Sequence, residues 1–357
     1  MNIAFFGSSL VSAYWNGAAT YYRGLIRALD ELGHRTTFYE PDAFGRQAHR
    51  DIDDPPWAGV FVYENTLAGL ARALNHARHA DVLVKASGVG VFDRELEEMV
   101  AGSRAGTLSV FWDVDAPATL DRLASDPADP FHALIPQFDL VLTYGGGEPV
   151  CNAYKAFGAR ECVAIYNALD PATHFPVECD TRFAGDLAFL GNRLPDREAR
   201  VDTFFFDAAR ALPNATFVLG GNAWDERPLP ANVRYVGHVY TADHNAFNCS
   251  AIAVLNIARD SMARYGFSPA TRVFEAAGAA ACLITDAWDG LDSFLEPGRE
   301  VLVARNGREV ADHLDRLTPA TARAIGAAAR DRVLASHTYT QRAATVSALL
   351  QGRAVAA

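Results

Sequence analysis

Short β-rich runs alternate with amphipathic stretches along most of the chain, and the alternation stops once and then restarts. In the first half, Asn2–Phe6, Thr36–Tyr39, Asp81–Lys85, Thr107–Phe111, Leu140–Thr143 and Cys162–Tyr166 read as strands. Helical patterns lie between several of them. Ala18–Leu32 carries the stripe Tyr22, Leu25, Ile26, Leu29 and stops at Gly33, and Arg94–Ala101 and Pro149–Phe157 follow. Such alternation predicts a parallel sheet covered by helices on both faces. The stretch Asp42–Val62 shows no clear period and reads as loop.

Asn167–Pro176 (Asn-Ala-Leu-Asp-Pro-Ala-Thr-His-Phe-Pro) is rich in turn formers and reads as a linker. Beyond it, Leu187–Leu190, Thr216–Leu219, Val233–Val236, Ile252–Asn256, Cys282–Thr285 and Val301–Ala304 are strand candidates. Asp196–Leu212, Val310–Leu317 and Ala320–Leu334 are helical. A length of 357 residues suits two domains, here 1–168 and 169–336 with a tail over 337–357. Two doubly wound α/β domains joined by a hinge are expected to place a ligand cleft between the carboxyl ends of their sheets.

Composition removes several classes. The longest apolar runs, such as Ala276–Ile284, fall far short of the roughly 20 residues needed to span a bilayer. The start, Met-Asn-Ile-Ala-Phe-Phe-Gly-Ser-Ser, lacks a positive n-region and reads as a strand, so a cytoplasmic location is expected. Five widely spaced cysteines with no Cys-x-x-Cys pair fit neither a disulfide framework nor a zinc site. A net charge of -11 argues against duplex nucleic acid as a partner, because such binders neutralise phosphates. Arginine clusters remain able to hold one small diphosphate.

Gly266–Asp286 carries the most chemistry. Ser268 reads as an N-cap with Pro269 at the first helical position, and that helix start favours an anion near Ser268. Arg272 and Glu275 share a helix face. Either Glu275 grips ribose hydroxyls while Arg272 meets phosphate, or the two form a surface ion pair. Gly191, Arg193 and Arg197 lie where a strand gives way to a helix, a common phosphate cradle, the other reading being a solvated loop whose arginines pair with Asp196 or Glu198. Gly7-Ser8-Ser9 lacks the rest of a Gly-x-Gly-x-x-Gly fingerprint, which disfavours a dinucleotide dehydrogenase.

Asp113 and Asp115 follow a strand of the first half and precede Pro117, which is expected to prevent an immediate regular helix. Facing a cleft, they would supply a general base or bind acceptor hydroxyls; turn chemistry is the plainer reading. The glycines of Tyr144-Gly145-Gly146-Gly147-Glu148 allow close approach of a ligand, or make a turn. His238 after Gly237 is a candidate donor contact, and His34 and His76 read as surface residues.

The segment from Gly266 through Trp288-Asp289-Gly290-Leu291 and Phe294–Glu300 resembles the C-terminal domain of GT-B glycosyltransferases, most of all the group named after the spore maturation protein CgeB. Tyr235–Val239, Val254–Arg259 (which contains Asn256), Ser336–Arg342 and the linker Asn167–Asp170 with Phe175-Pro176 also match that pattern. The resemblance implies a GT-B fold of two Rossmann-like domains, the acceptor on the first and the donor on the second. It also implies a tail helix returning to the first domain, and metal-independent transfer of a sugar from a nucleotide donor, UDP- or dTDP-linked, to an unidentified acceptor. Gly191, Arg193, Arg197, His238, Asn256, Ser268, Arg272 and Glu275 are its expected donor contacts, with Glu275 on the ribose. Asp115, with Asp113 as alternate, is the acceptor-side candidate. One departure stands out: Phe267 occupies the position, eight residues before Glu275, where many retaining members carry glutamate. A nucleotide-sugar epimerase of the same fold, or a non-catalytic nucleotide-sugar binder, are the competing readings.

Overall fold

A computed structural model describes residues 1–354. The chain divides into two compact units, Met1–Asn167 with the helix Tyr339–Ala354, and Ala168–Thr338. No helix among the described residues is long and apolar enough to cross a membrane.

The first unit is built on seven strands: β1 Asn2–Phe6, β2 Arg35–Asp42, β3 Gly59–Glu64, β4 Val82–Ala86, β5 Leu108–Asp113, β6 Leu140–Thr143 and β7 Cys162–Ala164. All pair in parallel, in the order β3-β2-β1-β4-β5-β6-β7. The chain therefore winds outward from β1 in one direction, then from β4 in the other, so helices cover both faces. The central strands are apolar because both faces are buried: β5 is buried at every position. β3 lies in the stretch expected to be mostly loop. It is an edge strand with only Tyr63 fully buried, so burial imposes little pattern on its sequence.

The helix Tyr339–Ala354 packs on the helix Ala19–Glu31 at the start of the same unit. Contact is close because residue 24 is glycine: a Cβ there would lie 2.1 Å from the Tyr339 ring. His34, expected at the surface, is buried and its Nε2 meets Ser347 Oγ on that helix at 2.8 Å.

The second unit repeats the winding with β8 Gly185–Leu190, β9 Phe217–Gly220, β10 Val233–Gly237, β11 Ala251–Asn256, β12 Leu283–Asp286 and β13 Leu302–Ala304, in the order β10-β9-β8-β11-β12-β13. Leu187, Phe205, Phe217, Leu219, Trp224, Leu255 and Ile284 form its main core, each side chain worth about 1.5–3 kcal/mol of burial. The direction reverses between β8 and β11, and ligands of open α/β sheets bind at the carboxyl ends of strands at such a point.

Two local expectations are corrected. The helix after Ser268-Pro269 begins later, at Thr271, with Ala270 at the N-cap and no side-chain cap. Ser268 Oγ instead donates to Gly266 O at 2.9 Å, and Phe267 holds a left-handed φ of 45°, so the chain is still turning when it reaches Pro269. Pro117 does not delay a helix: Ala116–Ser125 is helical with that proline in its first turn, where no N–H is needed.

Candidate functional site

The loop leaving β8 runs directly into the helix Pro195–Val201 and puts an arginine against the strand end. Arg197 Nη2 donates to Asn192 O at 2.7 Å, and its guanidinium lies over the Phe189 ring with 5.6 Å to the centroid. Glycine at residue 191 leaves room for this guanidinium, since a Cβ would meet Arg197 Nη2 at 2.7 Å. Trp224 Nε1 donates to Gly191 O at 2.7 Å and pins the loop from below.

Arg272 enters from the helix Thr271–Gly278 and Arg259 from the loop after β11. Burial first, and then the positive charges of Arg272 and Arg259, depress the Arg197 guanidinium to about 10. Burial also lowers Arg272, with Glu275 opposing the shift. Arg259 has an acid of its own: its Nε donates to Asp196 Oδ2 at 2.9 Å. Burial pushes Asp196 up, but hydrogen bonds from Ser261 and the charge of Arg259 outweigh it and hold the carboxyl below its ordinary range. Arg197 Nε and Arg272 Nη1 are buried and have no hydrogen-bond partner among the described residues. Two neighbouring cations with buried unmet donors, one depressed by the charge of the other, would suit an anion by their electrostatics.

The remaining arginines nearby each pair with an acid, although Arg200 Nε is itself buried without a partner among the described residues. Arg200 Nη2 donates to the fully buried Asp286 at 2.6 Å. Arg227 pairs with Glu198 and Asp202. Arg193, expected at phosphate, pairs with Glu198 at 2.9 Å and Glu226 at 3.3 Å, so the geometry follows the plainer reading of that residue.

Glu275 is only 4% exposed and lies 3.9 Å from His174 Nε2, so it is not the surface ion pair that spacing alone allowed. His238 is partly buried, 3.4 Å from Asn222, with its ring edge-on to Tyr240. Asn256 is buried and its Nδ2 donates to Thr285 Oγ1 at 3.0 Å, tying β11 to β12; this side chain serves the sheet. Ser268 is spent on its own turn, as described above.

In the first unit, Asp113 is unsuited to act as a base. It is fully buried and accepts from Ser87 Oγ at 2.7 Å, Asp115 N at 2.9 Å, Thr119 Oγ1 at 3.2 Å and the Tyr154 hydroxyl. It organises the turn after β5. Asp115 stands at the N-cap of the following helix, partly buried, but its carboxylate does not cap that helix.

Sequence reasoning missed His174 and His244. His174 sits in the linker string and is 3% exposed, and His244 opens the helix His244–Ser250. Their convergence on Glu275 depends on tertiary packing, which no local motif announces.

The model of a family described as glycosyl transferase-like matches residues 197–348, a span containing Arg197, His238, Asn256, Ser268, Arg272 and Glu275. No curated protein matches the chain. Among solved structures, a sucrose-phosphate synthase from Thermosynechococcus elongatus is similar with a TM-score of 0.73 at 14% identity, covering 100% of both chains. Anabaena HepE in complex with UDP and glucose has a TM-score of 0.69 at 15% identity, over 99% of this chain and 100% of that one. An α-glucosyltransferase in complex with UDP and DNA has a TM-score of 0.73 at 10% identity, over 98% and 99%. These likenesses run the whole length of the chain and establish its fold as GT-B, two Rossmann-like α/β domains.

Proposed function

We propose that the protein is a glycosyltransferase whose second unit binds a nucleotide-sugar donor. The observation that carries this reading is the pair Arg197 and Arg272, half-buried beside the β8/β11 reversal, each with a buried unmet donor. A diphosphate supplies the missing negative charge. As the glycosidic bond breaks, charge grows on the diphosphate, and preorganised guanidinium groups stabilise it electrostatically, the role a metal plays in other transferases. Glu275 grips the ribose. The family match over residues 197–348 and the UDP-bound neighbours support the same reading.

On the acceptor side we assign Asp115 to the incoming hydroxyl, either as proton acceptor or to orient it. Asp113 drops out of that role because four donors already occupy its carboxylate. The net charge of -11 disfavours duplex nucleic acid as the acceptor.

A thermal-shift panel of nucleotide sugars tests the donor assignment. A true donor at 100 times its dissociation constant adds about 2.7 kcal/mol of stability. Release of free nucleoside diphosphate that depends on an added acceptor supports transfer. Interconversion of donor epimers without acceptor identifies an epimerase, and binding with no turnover identifies a non-catalytic receptor.

A further inference from the structure

Three hydrogen-bond acceptors converge inside the second unit. One atom from each of His174, His244 and Glu275 lies within 4.8 Å of the others, and the two imidazole centroids are 6.2 Å apart. Each imidazole has one nitrogen already committed. Thr173 Oγ1 donates to Asp170 O, so it accepts from His174 Nδ1 at 3.0 Å and leaves Nε2 as a lone pair. The Val239 main chain favours a proton on the His244 ring, and with Nδ1 buried without a partner that proton sits on Nε2 and leaves Nδ1 as a lone pair. Both lone-pair nitrogens, His174 Nε2 and His244 Nδ1, are buried without a hydrogen-bond partner among the described residues.

Buried acceptors facing one another and a carboxylate call for a ligand that brings donors or positive charge. A zinc-class cation suits two histidines and a glutamate by ligand type, but tetrahedral bonds of 2.0–2.1 Å hold ligand atoms about 3.3 Å apart, tighter than the 3.9 Å between His174 Nε2 and Glu275 Oε1. The Arg272 charge also acts on both His244 and Glu275, and it penalises a second cation. A vicinal diol is neutral and carries two O–H donors.

We propose that His174 and His244 join Glu275 in a three-acceptor clamp on the 2′,3′-diol of the donor ribose. The clamp makes the site selective for ribonucleoside over 2′-deoxyribonucleoside diphosphates, and between the two expected donors it selects UDP over dTDP. The proposal rests on the reading of Glu275 as the ribose residue.

The test is calorimetry on the full chain with UDP, ADP and GDP, each paired with its 2′-deoxy form. For whichever nucleotide binds, the parent is expected to hold the ribo form at least about tenfold more tightly, the loss of one hydrogen bond to these acceptors. In whichever of His174→Ala and His244→Ala has lost the acceptor of the 2′-hydroxyl, that ratio falls toward one while affinity for the deoxy form is retained. A general structural defect would instead weaken both forms alike. Equal affinity for both forms in the parent, or equal losses of the two forms in both histidine variants, overturns the clamp. Tight binding of Zn²⁺ alone that disappears in His174→Ala also overturns it and makes the cluster a metal site. Glu275→Ala separates the two readings: unchanged nucleotide affinity there, or no binding of any of the three nucleotides to the parent, sinks the donor site itself. A loss with Glu275→Ala but none with the histidine variants sinks only the clamp.

Discussion

The two units wind their strands in the same order from the first to the sixth, yet their crevices differ in how far their charges are matched. In the first unit most charges beside the β1/β4 reversal are matched internally. Lys85, 1% exposed, pairs with Asp93 at 2.7 Å and Glu97 at 3.3 Å. Arg23 pairs with Asp51, and Glu40 accepts from Ser9 Oγ, Leu10 N and Gln47. Arg46 lacks a carboxylate; its Nη1 donates to the carbonyls of Ser8 and Val89, while its Nε is buried without a partner among the described residues. In the second unit, Arg197 and Arg272 are left with buried unmet donors and repel one another. A shared topology fixes where a ligand can sit. The balance of charge within each crevice decides whether an anion is called for.

The contrast breaks most readily at the two aspartates at the carboxyl end of β5, one held by four buried donors and the other proposed above for the acceptor. Asp115→Asn is expected to lower turnover about 100-fold or more, the scale of a lost general base, with donor affinity intact. Near-parent turnover in the folded variant ends the assignment, and Glu148 becomes the next candidate. Asp113→Ala is expected to act through stability. It strands four donors in the interior and should cost at least about 3 kcal/mol in a denaturant melt. A variant of parent stability with selectively reduced turnover would restore Asp113 to a catalytic role. The smallest effect belongs to Arg193→Ala. An arginine held in partly exposed pairs with Glu198 and Glu226 contributes little, so diphosphate affinity should fall by no more than about threefold. A larger loss would return Arg193 to the phosphate site.

Alternation of apolar runs made both sheets legible in the sequence, because strands buried on both faces must be continuously apolar. β3 escaped because it is an edge strand with half-exposed positions. Ser268-Pro269 carried a valid helix-start signature that the fold overrode, since the left-handed turn at Gly266 and Phe267 delays regular backbone to Thr271. Arg272 and Glu275 were found by spacing and resemblance together. Spacing alone left open a surface pair, and only packing shows that Glu275 is drawn into the interior with Arg272 half-buried beside it. Arg193 and Arg197 looked equivalent in sequence. The acids that distinguish them, Glu198 and Glu226, reach only the first.

The central claim is that unmet guanidinium donors in the second unit hold a diphosphate, and one calorimetric cycle tests it directly. Affinities for a nucleoside diphosphate and for the bare nucleoside are measured in the parent, in Arg197→Ala and in Arg272→Ala. Each substitution is expected to weaken the diphosphate by about ten- to hundredfold, the equivalent of a charge-assisted hydrogen bond of about 1.5–3 kcal/mol, and to leave the nucleoside nearly unchanged. Equal losses for both ligands, or none for either, would contradict the account.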